Sequence, residues 1–347
     1  MEDDSARREA MLHTWVRQQI GEWRHWQALP GDASFRRYHR LVMPGGTLLV
    51  MDAPPPQEDC RRFVWLAHVL RDLGLHTPTV LAHEPTLGFA LLEDLGETTY
   101  LDVLQPNNAT ALYQEAWTAL LRLQRAPLGS MLAHFDADHL SRELMVFKEW
   151  YLERHLGLEP ADLPTTLLDA ACGYLIQQAT SQPAVPIHRD YHSRNLLPGT
   201  DSTGPGIIDF QDAMLGPVTY DIISLLKDCY IAWPQEQVMN WALCYWQEAR
   251  RAGIPMWAKA ADFLTACAAM GIQRHLKAIG YFARLYHRDG KRRYLADIPR
   301  VLGYVQAACA GLPQLSAFGD WLMSCSAPLL STGGSVHDHP AEEMDRT

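Results

Sequence analysis

Between Pro183 and Phe210 two short apolar runs, Val185-Pro-Ile187 and Gly206-Ile-Ile208, bracket a loop dense in charged and polar groups. Runs this short, bounded by turn residues, suit buried strands better than helices. The chain therefore enters on one strand, reverses through His188-Arg-Asp190-Tyr-His-Ser-Arg-Asn195, and returns on a second strand that releases Asp209 fourteen residues after the asparagine. Because the loop turns back between Asp190 and Asn195, both side chains aim to one side, where Asp209 also emerges. Acidic residues often cap turns or end strands, so an isolated His-x-Asp says little. Asn195 at this spacing, with Asp209 on the second apolar run, adds a set of hard oxygen atoms.

Phosphoryl transfer needs that set. It asks for a carboxylate beside the attacking hydroxyl and for oxygen ligands that hold magnesium against the phosphates, with little covalent help. Asp190 fits the first role and is the candidate catalytic residue. Asn195 and Asp209 fit the second and are the candidate Mg2+ ligands. His188 and His192 read as groups that hold the loop, with His192 also placed to touch an acceptor.

The rest of the chain is consistent with a globular protein of two lobes. Its 347 residues are 48% hydrophobic and 20% charged, enough for a large core. No run approaches the ~18 apolar residues of a membrane span, and the first ten residues are polar, so a cytoplasmic protein without membrane association is expected. Seven cysteines lacking any C-x-x-C pair suggest neither a disulfide framework nor a zinc site. A net charge of -10 argues against nucleic acid as a partner. Residues 5 to about 20 carry Met11, Leu12, Trp15, Val16 and Ile20 at helical spacing. Two or three antiparallel strands follow from Leu29 to Val50, then a helix over about 57–73 and a buried strand from Phe89 that stops near Glu93-Asp-Leu95. Beyond it the pattern is mainly helical to about 325, and the last residues read as a mobile tail.

These motifs resemble the phosphotransferase family that includes aminoglycoside and choline kinases, over roughly residues 28–310. The resemblance implies an α+β, bilobal protein-kinase-like fold. A small β-rich N-lobe (1–95, with a leading helix) would bind ATP, a larger mainly helical C-lobe (96–326) would carry catalysis and substrate, and 327–347 would be the tail. It also implies that the Gly31-Asp-Ala-Ser34 turn approaches phosphates, that Glu93 and Leu95 belong to an interlobe hinge meeting adenine, and that Asp221 supports the catalytic loop. More narrowly, Gly31-Asp-Ala-Ser-Phe-Arg-Arg-Tyr38, Met51-Asp-Ala-Pro-Pro55, Phe147-Lys-Glu-Trp-Tyr151, Asp209-Phe-Gln-Asp212 and Gln273-Arg-His-Leu-Lys277 resemble the anomeric amino-sugar kinases of bacterial cell-wall recycling. That branch implies ATP-dependent phosphorylation of the C1 hydroxyl of N-acetylmuramate and N-acetylglucosamine. The alternatives are another small-molecule acceptor, such as an aminoglycoside, choline or a different sugar, and a nucleotide-binding pseudokinase.

Two departures matter. The family's lysine on the third strand is absent from Leu48-Leu-Val-Met-Asp-Ala, so another cation must meet the phosphates. Strand alternation separates Arg36 and Arg40 from Arg37, and Arg36 is the favoured replacement. Asp209-Phe-Gln also stands in place of D-F-G, which argues against a flexible activation segment. On the acceptor side, residues 250–300 hold eleven Lys or Arg against three Asp, a reversal of the overall charge that favours an anionic or neutral sugar over a cationic acceptor. Arg274 lies inside the apolar stripe of a helix over about 262–286 and is the candidate reader of a substrate carboxylate, with Lys277 beside it.

Overall fold

A computed structural model describes residues 2–30, 35–199 and 204–331. Along the chain, α1 (Glu2–Ile20) precedes β1 (His25–Ala28), β2 (Arg37–Met43) and β3 (Gly46–Asp52). Next come α2 (Cys60–Asp72), β4 (Val80–Glu84), β5 (Phe89–Glu93), α3 (Tyr100–Val103) and α4 (Ala109–Gln124). After α5 (Ala137–Val146), a π-helix (Phe147–His155) and α6 (Thr165–Thr180), four short strands follow: β6 (Ala184–Ile187), β7 (Leu196–Leu197), β8 (Gly206–Ile207) and β9 (Met214–Pro217). The remainder is helical: α7 (Tyr220–Leu226), α8 (Gln235–Arg251), α9 (Ala260–Asp289), α10 (Ile298–Ala310) and α11 (Ser316–Ser331). This is the β-rich N-lobe and mainly helical C-lobe anticipated above.

The chain divides into two compact units. One comprises the chain up to His134 together with Pro183–Ala260, and the other comprises Phe135–Gln182 and the chain from Ala261.

In the first unit a five-stranded antiparallel sheet has the order β1-β2-β3-β5-β4. Helix α1 covers one of its faces. Leu12, Trp15 and Val16, spaced i, i+3 and i+4, are buried against Leu41, Val50, Phe89 and Leu91. Arg8 pins the same helix by donating to buried Asp52 through Nε at 2.9 Å and to the Leu87 carbonyl at 2.7 Å, while Arg37 reaches the other Asp52 oxygen at 2.6 Å. Cross-strand partners share a face, so the register Tyr38↔Met51 and Arg40↔Leu49 puts Tyr38, Arg40, Leu49 and Met51 on the face opposite α1. Buried Arg36 precedes that series in the same alternation. The turn into β5 depends on Gly88 at φ +75°, because a Cβ there would lie 1.9 Å from the Ala53 carbonyl oxygen.

In the second unit the π-helix continues α5. Its wider turn shows in two ion pairs spaced i, i+5, Lys148 with Glu153 at 2.6 Å and Arg154 with Glu149 at 3.1 Å. Helix α9 crosses the α5–π junction at Gly280, where a Cβ would come within 2.6 Å of the Phe147 backbone nitrogen and Cα.

Candidate active site

β6 pairs with β9 and β7 with β8, so the loop from His188 to Asn195 is held at both ends by hydrogen-bonded ribbons. Buried carboxylates fix its backbone. Asp221, fully inaccessible in α7, accepts from the N–H groups of His188 at 2.6 Å and Arg189 at 3.0 Å. This holds Arg189 at φ +79°, a left-handed conformation unfavourable for a non-glycine residue. Asp228, also buried, accepts from Ser193 N–H at 2.9 Å and Tyr230 N–H at 2.9 Å. His188 is buried and its Nε2 lies 3.0 Å from the Ile208 carbonyl, which assigns the proton to Nε2; Nδ1 then accepts from the Asp190 N–H at 3.3 Å. Burial lowers the His188 pKa against the pull of Asp221 and Asp190, which favours the neutral ring.

The loop therefore presents Asp190 and Asn195 from a fixed frame. Asn195 Nδ2 donates to the Asp190 carbonyl at 2.9 Å, while the Asn195 carbonyl accepts from Ile208 N–H at 3.1 Å. With its amide nitrogen so committed, the carboxamide oxygen is the atom Asn195 can offer a cation. Asp209 follows β8 at φ +62° and keeps 46% of its side-chain surface open. The protein mass around it and the nearby Asp190 carboxylate both raise its pKa, opposed by a hydrogen bond from Gln211 and by Arg36. The Asp209 carboxylate and the Asn195 carboxamide offer hard oxygen atoms of the kind a divalent cation takes.

Arg36 is the arginine brought to this set. Its guanidinium is 9% exposed, 3.8 Å from Asp209 Oδ1 and 3.5 Å from Glu58 Oε2. Arg37 is engaged on the opposite face by Asp52, and Arg40 is bound bidentately by Asp94 at 2.6 and 3.0 Å. Glu93 ends β5 with its carboxylate hydrogen-bonded to Thr79 N–H at 3.0 Å. Leu95 packs where a Cβ on Gly206 would come within 3.1 Å of it. His192 packs edge-on to Tyr230 at 5.5 Å, and its carbonyl accepts from Asn195 N–H at 2.9 Å. Gly31 and Ser34 lie outside the described residues.

Arg274 and Lys277 belong to the second unit. Lys277 is paired with buried Glu143 at 2.9 Å, and Gln273 donates to the other oxygen of the same carboxylate at 2.9 Å. Arg274 is half-buried on α9. Several groups that shape the first-unit site have no sequence signal of their own. Arg62 of α2 donates to the carbonyls of Gln211 at 2.8 Å and Ala213 at 2.7 Å, and Phe63 stacks on Phe210 at 4.9 Å, although about 150 residues separate the partners. Gln211 was noticeable only as the departure from D-F-G.

The described residues contain no helix long and apolar enough to cross a membrane. A family model described as "Phosphotransferase enzyme family" matches residues 25–263. A Pseudomonas aeruginosa protein named N-acetylmuramate/N-acetylglucosamine kinase is 48% identical over 84% of this chain and 86% of its own length. A Neisseria meningitidis protein of the same name is 39% identical, covering 79% of this chain and 83% of the relative. Among solved structures, a spectinomycin phosphotransferase in complex with ADP and spectinomycin superposes with a TM-score of 0.62 at 11% identity, over 86% of this chain and 98% of that one. An ethanolamine kinase of Plasmodium vivax gives 0.61 at 12% identity, covering 87% of each chain. At such identities the likeness speaks for the fold, while the family model and the sequence relatives carry further: the chain belongs to the phosphotransferase enzyme family.

Proposed function

We propose that this protein is an ATP-dependent, magnesium-requiring kinase that phosphorylates the anomeric C1 hydroxyl of N-acetylmuramate and N-acetylglucosamine, yielding the sugar 1-phosphate in peptidoglycan recycling. The observation that carries this reading is 48% identity to a kinase named for those two sugars, sustained over 84% of the chain. The arrangement of Asp190, Asn195 and Asp209 supports it chemically.

Asp190 receives or orients the proton of the C1 hydroxyl, and a hemiacetal hydroxyl is acidic enough that a carboxylate of ordinary strength suffices. Asn195 and Asp209 hold Mg2+, which supplies charge neutralisation at the phosphates. Arg36 takes the place of the missing third-strand lysine; its 3.8 Å approach to Asp209 supports this. Gly31 and Ser34 meet the phosphates, and Glu93 with Leu95 borders the adenine. His192, Arg274 and Lys277 meet the sugar. Arg274 reads the lactyl carboxylate of N-acetylmuramate, and Lys277, its ammonium fixed by Glu143, offers an N–H donor from the same helix. The lobes divide near residue 95, and the protein works in the cytoplasm.

The test is turnover of N-acetylmuramate and N-acetylglucosamine with ATP and Mg2+, read by phosphorus NMR. A C1-linked phosphate on both sugars is expected. Transfer to another hydroxyl, or turnover only with choline or an aminoglycoside, would replace the acceptor assignment. Nucleotide binding without transfer to any acceptor would identify a pseudokinase.

A further inference from the structure

We propose that Gln211 is a positioning residue for the nucleotide-bound cation. It holds Asp209 in its ligand orientation and offers its own carboxamide oxygen to a water on that cation. The inference rests on the kinase reading above and assigns work to the glutamine that replaces the glycine of D-F-G.

Asp209 sits at φ +62°, a backbone state that persists only when its surroundings over-determine it. Three contacts do so. Phe210, the next residue, is fully buried and stacks on Phe63. The Gln211 and Ala213 carbonyls are clamped by the Arg62 guanidinium. Finally, Gln211 Nε2 donates to Asp209 Oδ1 at 2.8 Å and to Asp212 Oδ2 at 3.3 Å. The backbone clamp fixes the strand exit, and the third contact holds the carboxylate itself, which the Arg36 guanidinium also approaches at 3.8 Å. A glycine at position 211 would supply none of it.

The other end of the amide points to a ligand. Gln211 is 7% exposed, and its Oε1 is buried without a hydrogen-bond partner among the described residues. Exchanging the amide atoms would set an oxygen against two carboxylates, so the orientation follows from the network. A buried acceptor without a donor is costly, so a water or a ligand atom is expected to complete it. Beside a carboxylate suited to Mg2+, the fitting donor is a metal-bound water, since Mg2+ keeps several waters when it binds proteins through few carboxylates. Groups that orient a metal's ligands typically affect affinity by about tenfold or more when removed.

The experiment measures Mn2+ affinity in the enzyme–ADP complex by electron paramagnetic resonance, alongside metal-free ADP affinity by calorimetry and the melting temperature. Gln211→Met keeps the side chain's length and bulk while deleting both hydrogen-bonding functions, and Gln211→Ala is the second variant should methionine pack badly. The expected result is a weakening of Mn2+ binding by roughly tenfold, with metal-free ADP affinity unchanged. Mn2+ affinity within twofold of wild type in a folded variant overturns the proposal. So does an equal loss of metal-free ADP binding and melting temperature, which would make Gln211 a packing residue. If the wild-type protein shows no Mn2+-dependent ADP binding, the kinase reading itself fails, a result separable from either of the others.

Discussion

Replacing Asp221 by asparagine tests whether the catalytic loop is held as the structure indicates. The carboxylate is fully inaccessible and accepts at 2.6 and 3.0 Å from two successive backbone N–H groups, the second belonging to Arg189 at φ +79°. Asparagine preserves the shape but not the charge, and it turns an NH2 toward one of those donors. Each charge-assisted hydrogen bond is worth about 1.5–3 kcal/mol, and a buried donor left facing a donor costs about 1–3 kcal/mol more. Freeing the strained left-handed Arg189 returns about 1–2 kcal/mol of this. Allowing for partial relaxation, the expected loss is roughly 3–5 kcal/mol, or about 10 °C in melting temperature at 2–4 °C per kcal/mol for a unit of this size. Because Asp190 is two residues from His188, a shift of about 1 Å in the loop should also lower kcat by about 100-fold. Thermal unfolding followed by circular dichroism, with steady-state kinetics at a temperature where the variant is folded, reads both quantities. A melting temperature within 2 °C of wild type together with kcat within about threefold would refute the reasoning.

Asp190→Asn should lower kcat by orders of magnitude while ATP affinity from equilibrium titration stays near wild type, because the carboxylate acts on the acceptor. Arg274→Ala should raise KM for N-acetylmuramate about tenfold, the worth of one charge-assisted pair, and affect N-acetylglucosamine far less; equal loss for both sugars with a lower melting temperature would make Arg274 a structural residue. Alanine at a helix-interior glycine ordinarily gains about 1 kcal/mol, so Gly303→Ala in α10, where nothing lies within 4 Å, should stabilise, whereas Gly280→Ala should destabilise by about 1–3 kcal/mol as its Cβ meets the Phe147 backbone. Denaturant titration of the pair checks the opposite signs. His155 Nδ1 lies 3.2 Å from His287 Nε2, and burial plus the neighbouring imidazole brings His155 down to about 4. The unfolded chain therefore takes up the proton first: this stability is present above about pH 6.5 and lost as pH falls toward 4. Discounted for a half-exposed pair, it amounts to about 1–2 kcal/mol, so wild type should lose roughly 3–6 °C between pH 7.5 and 5 relative to His155→Phe in thermal scans.

Side-chain periodicity and local spacing were enough to expect α1, α2 and α9, the strand ending at Glu93, and the loop that joins Asp190 and Asn195 to Asp209. Those signals are local: a buried face repeats every few residues, and a short loop brings its own ends together. Strands expected from Leu29 onward begin after β1 (His25–Ala28), and the same reasoning gave no sign of β4, β7 or β9. Their two to five residues leave too little pattern to read, and β9 takes its order from β6, on the far side of the catalytic loop. It read the π-helix as an ordinary helix, because the pairs at i, i+5 that mark the wider turn become meaningful only once the backbone is known. Alternation along β2 separated Arg36 from Arg37 but could not say which arginine stood opposite α1. Packing of Leu12, Trp15 and Val16 on one face decided that, leaving Arg36 beside Asp209. The clamp of Arg62 on Gln211, the hold of Asp221 on the His188 backbone and the pairing of Lys277 with Glu143 join residues far apart in sequence. A chain's composition and motifs name which groups can do chemistry. Which of them meet, and at what distance, is set by long-range packing, because contacts between distant segments exist only after the segments fold together.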